Sequence, residues 1–141
     1  MGKIIAVCMS PEKGTAKQNV HQARVVENHG LEGDAHAGTW HRQVSLLSYE
    51  SIEQFKAEGA QVTEGAFGEN LIVSGIDLLS LPVGTKLQCG SIVLQITQIG
   101  KECHHGCAIF QQMGRCIMPH EGVFARVLQG GEIHEDDEIQ V

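Results

Sequence analysis

Apolar residues along this chain come in short bursts separated by glycine-rich polar stretches, a spacing that favours strands over long helices. The run KIIAVCM (3–9) is apolar and β-branched and leads into a polar connection through Pro11 and Gly14, so it predicts a first strand. VHQARVVE (20–27) and RQVSLLS (42–48) predict two more. Between them HGLEGDAHAGTWH (29–41) holds three glycines and three histidines, too irregular for either element, and predicts a loop. Helical character is confined to YESIEQFKAEG (49–59): Ser48 can cap, Glu50 suits the first turn, Ile52, Phe55 and Lys56 share a face, and Gly59 stops it. In VGTKLQCGSIVLQITQI (83–99) a Gly90-Ser91 turn joins two extended arms, with Ile92, Leu94 and Ile96 pointing one way and Val93, Gln95 and Thr97 the other.

GVFARVL (122–128) and DEIQV (137–141) complete a set of roughly seven short strands with one or two short helices. Without regular crossover helices, such strands predict a mostly β fold, a closed or partly closed barrel, over a parallel α/β sheet. No repeat, linker or low-complexity block divides residues 1–141, which read as one domain of ordinary size.

Composition narrows the function. Hydrophobic residues make up 42% and charged residues 19%, with no membrane-length apolar run and no leader pattern at Met1, so a cytoplasmic protein without a membrane partner is expected. Five cysteines, an odd number spread through 141 residues, favour a reducing compartment over a disulfide framework. The net charge is −7, from ten basic and seventeen acidic residues. Five of those acids (Glu132, Glu135, Asp136, Asp137, Glu138) lie in the last ten residues; without them ten bases face twelve acids, a balance of −2. The remaining surface does not repel a small anion. With no basic stripe and only six aromatics, a nucleic-acid partner is not expected.

The chemistry concentrates in GKECHHGCAIFQQMGRC (100–116), which holds three of the five cysteines and two of the eight histidines. Cys103 and Cys107, four apart, fall on one face of a helix and of a strand alike. Three readings stay open. A structural zinc site could draw on both, completed by Cys116, His104, His105 or His120, although no second tight pair is present. A reactive thiolate would be helped by Lys101, His104, His105 and Arg115 and opposed slightly by Glu102. Burial of small apolar residues is the third, and it is the assignment for Cys8 and Cys89, which sit in or beside strand patterns. Placement of the cluster at the end of a strand favours the reactive or ligating thiol.

Five segments in order, GLEGDAHAG (30–38), RQVSLLS (42–48), FGENL (67–71), GKEC (100–103) and GVFARVLQGG (122–131), resemble the MOSC domain family, named for the C-terminal domain of molybdenum cofactor sulfurases. KECHHGCAI and CIMPHEGVFARV resemble a small stand-alone subgroup, and the likeness spans roughly residues 3–141. It implies a barrel-like fold and a cysteine that carries sulfur as a persulfide or ligates molybdenum of the pterin cofactor. Cys103 takes that role by position, as catalytic thiol or metal ligand, with Cys107 the alternative. Gly33 and Asp34 would lie in a glycine-rich loop near a phosphate, an ordinary Asx turn being the other reading. His36 and Lys101 would join them, Arg42 would fork a phosphate, and Glu69 and Asn70 would line the same mouth, Asn70 meeting a pterin edge or simply capping a turn.

The chain departs from the family at EDDEI (135–139), where relatives often carry GDxI, and it lacks a domain able to desulfurate cysteine. Sulfur would therefore come from a donor protein of the cysteine desulfurase type and pass to a molybdoenzyme client. The leading expectation is a protein that binds molybdopterin cofactor or carries sulfur, with enzymatic activity left open. The alternatives are a non-catalytic pterin-delivery module and a zinc-stabilised structural domain.

Overall fold

A computed structural model describes residues 2–12, 16–100 and 121–141. Eleven strands are found among these residues: β1 (Gly2–Met9), β2 (Gln18–Asn19), β3 (Gln22–Val26), β4 (Gly30–Leu31), β5 (Val44–Ser48), β6 (Leu71–Ser74), β7 (Lys86–Cys89), β8 (Ile92–Ile99), β9 (Val123–Gln129), β10 (Gly131–His134) and β11 (Glu138–Ile139). One α-helix, α1 (Tyr49–Ala57), and a short 3-10 turn at Leu78–Ser80 accompany them. The large sheet runs in the order β11-β1-β6-β5-β9-β8-β7, with β2 attached to β1. Its two ends meet where Gln88 and Gln140 exchange backbone hydrogen bonds of 2.7 and 2.9 Å. The sheet thus curls into the partly closed barrel expected from the strand spacing, and a second sheet, β10-β3-β4, lies beside it.

Two features produce this arrangement. First, β8 alternates as its sequence requires, burying Ile92, Leu94 and Ile96 on one face, and the two-residue Gly90-Ser91 turn (Gly90 φ 59°) returns the chain antiparallel from β7. Second, β5 and β6 pair in parallel, Leu46 beside Leu71 and Ser48 beside Val73, and α1 lies in the connection between them. Parallel neighbours need such a crossover. α1 begins where Ser48 accepts a hydrogen bond from the Ser51 amide, and it buries Ile52 and Phe55.

The central strands are apolar on both faces. Leu46, Leu71, Val73, Val123 and Ala125 point into the barrel with Ile4, Val7 and Leu94. Their neighbours Leu47, Ile72 and Phe124 point outward and join Ala6, Cys8, Ile52, Phe55 and Phe67 beneath the helix. That second layer explains why β6 was not evident as a strand in the sequence: its three apolar residues, Leu71, Ile72 and Val73, are buried on both faces and show no alternation. The very short β2 and β4, and β10 after the Gly130 break, carry too few residues to declare a period. The expected strand at 20–27 is shorter, Gln22–Val26, because His21 takes a left-handed φ of 69° and turns the chain ahead of it. Among the described residues no helix is long and apolar enough to cross a membrane.

The departure at 135–139 has a local structural counterpart. Asp136 adopts a left-handed φ of 71°, its amide donates to the Ile4 carbonyl (2.7 Å), and Asp137 accepts from the His134 amide (2.8 Å) to close the turn before β11. A residue with a Cβ is disfavoured in that backbone region, asparagine and aspartate least. Asp136→Gly is therefore expected to raise stability by about 0.5–1 kcal/mol in urea denaturation, with an unchanged m-value.

Candidate functional site

The described part of the chain buries seven polar or charged residues: Ser10, Lys17, Asp34, Gln43, Ser45, Glu69 and Asn70. They gather where β1 ends and β5 and β6 begin, so the rim of the barrel there is lined with internal hydrogen bonds instead of apolar contacts. Most of the residues expected to form the site are found on this rim.

Asp34 is its hub. The Lys17 ammonium, in a residue only 2% exposed, donates to Asp34 Oδ1 at 2.7 Å, and the Ser10 amide donates to the same oxygen at 3.1 Å. Asp34 Oδ2 accepts from the His36 amide at 3.3 Å, the Asx-turn bond, and Gly33 supplies the left-handed turn just before (φ 88°). Lys17 also lies 2.9 Å from His36 Nδ1. The carboxylate thus ties the end of β1, the connection into β2 and the loop after β4. A buried charge is tolerated only when paired, which Lys17 and Asp34 do for each other. Gly65 secures the lysine from the other side: its carbonyl accepts from the Lys17 amide at 3.0 Å, and a Cβ at Gly65 would sit 2.0 Å from the Lys17 carbonyl oxygen.

Asn70, 1% exposed, is fully enclosed. Its Oδ1 accepts from the Ser45 amide (2.9 Å) and hydroxyl (3.2 Å), and its Nδ2 donates to the Cys8 carbonyl (3.0 Å), spanning three adjacent strands. Glu69 accepts from the Gly65 and Phe67 amides at 3.1 and 3.0 Å and is wholly buried. Both side chains face protein groups and underlie the mouth. Burial pushes the Glu69 carboxyl up to about 7, against the pull of those two amides. Cys8 beneath them is buried, and burial with the nearby Glu69 charge holds its thiol well above the ordinary range; burial likewise pushes Cys89 up to about 11. Neither is poised to form a thiolate, in keeping with their expected place in the core.

Arg42 is presented differently. Its guanidinium lies 4.6 Å from the ring centre of Trp40 and 5.5 Å from that of Phe124, and its Nε is shielded from water with no hydrogen-bond partner. Trp40 is anchored by donating from Nε1 to the His36 carbonyl (2.8 Å), which connects Arg42 to the Asp34 loop. His41 contacts Gln98 (2.7 Å), and the Thr97 hydroxyl donates to the carbonyls of His41 and Phe124. The Gly100 amide donates to the Gly122 carbonyl at 2.7 Å, so the chain leaves β8 and re-enters β9 within two residues of Phe124. Lys101, Cys103, Cys107 and the other expected zinc ligands, His104, His105, Cys116 and His120, lie outside the described residues. Among the described residues no three His, Cys, Asp or Glu side chains are grouped to hold a metal.

Lys17, Gln43 and Ser45 were not apparent as site residues. A lysine in a polar connection reads as solvated, and only its pairing with a distant aspartate buries it. Gln43 sits directly before β5, where it joins Asn28 (3.0 Å) and the Val127 amide (2.9 Å).

Fold and rim together define a small β-barrel protein whose barrel mouth is built from internal polar groups and one stacked arginine. The chain matches the MOSC domain over residues 33–140, and it belongs to that family. Among solved structures it is similar to the YuaD protein of Bacillus subtilis, with 20% identity, a TM-score of 0.79, and coverage of 99% of this chain and 94% of that one. YiiM from Geobacillus stearothermophilus is similar at 21% identity and TM-score 0.72, covering 99% and 74% of the two chains. YiiM from Escherichia coli follows at 19% and 0.65, covering 98% and 68%. At these identities the likeness is one of fold. No protein of curated function matches the chain.

Two outcomes are expected from the rim. Lys17→Met leaves Asp34 buried without its counter-charge and should lower stability by about 3–5 kcal/mol in chemical denaturation. Glu69 binds its proton more tightly folded than unfolded, its ordinary value being 4.5. Its contribution to stability is therefore full below that value, falls as pH rises toward about 7, and is flat above. The stability difference between the parent and Glu69→Gln, followed by urea denaturation across this range, should show that decline.

Proposed function

We propose that this MOSC protein binds the molybdenum cofactor through its anionic group at Arg42, or carries sulfur for cofactor assembly on Cys103, with Cys107 as the alternative thiol. The observation that carries the reading is the shielded, unpartnered Nε of Arg42 on the Trp40 and Phe124 rings. A guanidinium lying over aromatic rings, with a donor not spent on protein acceptors, suits a phosphate oxygen in charge. The residues present therefore suit the phosphate end of a pterin cofactor. The cofactor, when bound, would supply redox and oxo-transfer chemistry at molybdenum.

The chain's own residues divide the remaining work. Arg42 holds the anion, while Gly33, Asp34 and His36 shape the loop that carries Trp40 and Arg42. Glu69 and Asn70 fix the strand ends below. In sequence Lys101 follows Gly100 and Cys103 comes two residues later, and Gly100 itself donates its amide to the Gly122 carbonyl. In the sulfur-carrier role the Cys103 thiolate attacks the outer sulfur of a donor protein's persulfide. A new S–S bond forms, the donor's S–S bond breaks, and its thiolate leaves with the electron pair. A desulfurase would be the donor and a molybdoenzyme the client.

Native mass spectrometry of protein purified without oxygen from a cofactor-producing host tests both roles. A molybdopterin mass should be present in the parent and lost in Arg42→Ala, whose affinity should fall about 10–100-fold with the loss of a charge-assisted contact. An added sulfur atom should vanish in Cys103→Ser. Cofactor retained by Cys103→Ser would reduce the role to a binding module for delivery. A zinc adduct whose removal unfolds the chain, or bare protein in every sample, would overturn the proposal.

A further inference from the structure

Lys17 has no place in the reading above, yet it is one of the most enclosed charged groups in the described chain, with a side chain 1% exposed. Its Nζ meets two partners at once, Asp34 Oδ1 at 2.7 Å and His36 Nδ1 at 2.9 Å. An ammonium carries donors only, so a ring nitrogen at hydrogen-bond distance from it must accept. Nδ1 can accept only when it carries no proton, and the ring proton of a neutral imidazole then sits on Nε2.

We propose that Lys17 is a positioning residue that fixes His36 as the neutral tautomer protonated at Nε2, with Asp34 holding the ammonium in place to do so. The two short distances and the enclosure of the lysine leave the ammonium no other acceptor arrangement on this pair. Asp34 is bound on both oxygens: Oδ1 receives Lys17 and the Ser10 amide, and Oδ2 receives the His36 amide, so the carboxylate grips the lysine and the histidine backbone together. The Trp40 indole donating to the His36 carbonyl immobilises the same residue from the solvent side. The imidazole is thereby fixed in position and in proton arrangement. Whatever meets Nε2 meets a donor, so His36 can hydrogen-bond to an oxygen and cannot serve as a base through that nitrogen. This assignment does not depend on the identity of any cofactor.

Histidine-labelled protein with 15N-resolved ring spectra at neutral pH provides the test. The parent should show His36 as one tautomer, Nε2 protonated and Nδ1 bare, with a scalar coupling across the hydrogen bond linking Nδ1 to the Lys17 ammonium. Lys17→Arg, which keeps a donor at that point, should preserve the pattern. Lys17→Met should release it, the Nδ1-protonated population rising several-fold. A parent ring protonated at Nδ1, or fully protonated, would overturn the proposal, as would a folded Lys17→Met with unchanged His36 signals. Should Lys17→Met fail to fold, the parent spectrum and its cross-bond coupling decide the question alone.

Discussion

Burial of the central sheet on both faces is the constraint from which the rest of the molecule follows. β1, β5, β6 and β9 have the barrel interior on one side and the helix layer on the other, and most of their residues are apolar and buried. Such strands leave few water-facing positions on which to mount chemistry, Lys3 and Arg126 being among them. Buried polar groups gather near the strand ends, and there they must be satisfied internally, because water is excluded. The seven buried polar residues at the ends of β1 and the starts of β5 and β6 meet that requirement, and the loop carrying Trp40 and Arg42 is built outward from them.

This explains why one loop after β4 can present a rigid arginine. Irregular chain is usually mobile, since its backbone groups are solvated and its packing is thin. Here Asp34 ties the loop to Lys17 and to the Ser10 amide, and the Ala35 amide donates back to the Ser10 carbonyl at 2.8 Å. Trp40 is then clasped to the His36 carbonyl, and Arg42 lies on Trp40 and on Phe124 of β9. Each step fixes the next. A guanidinium held over two rings in this way has little rotamer freedom.

How much of this could be read from the sequence depended on whether the signal was local. α1 and the β7–β8 hairpin were legible because a serine cap, a Gly-Ser turn and an alternating arm each act within a few residues. β6 was not, because Leu71, Ile72 and Val73 are buried on both faces and have no period. The ordered motifs marked Gly33, Asp34, Arg42, Glu69 and Asn70 as a group, and the structure places Asp34, Glu69 and Asn70 on one rim. Their expected direction was less legible: Asn70 spends its side chain on Ser45 and Cys8, and Glu69 on its own turn. Only a partner brought from elsewhere in the fold distinguishes a carboxamide facing a ligand from one bracing three strands. Lys17 makes the same point, since nothing within its connection announces that Asp34, seventeen residues on, removes it from water.

The charge arrangement also separates the rim into two kinds of site. Lys17 and Asp34 neutralise each other and are enclosed, so that pair adds rigidity without attracting a ligand. Glu69 sits in an environment that pushes its carboxyl up to about 7, which weakens the negative potential it would otherwise project. Arg42 is the group left with an unmatched donor. Among the described residues of the rim, Arg42 is thus the group whose donor is not spent on the protein, while the enclosed pair contributes shape. With a net charge of −7, and five of its acids in the final ten residues, the chain as a whole does not reinforce that cation at long range, so its field acts over short distances only.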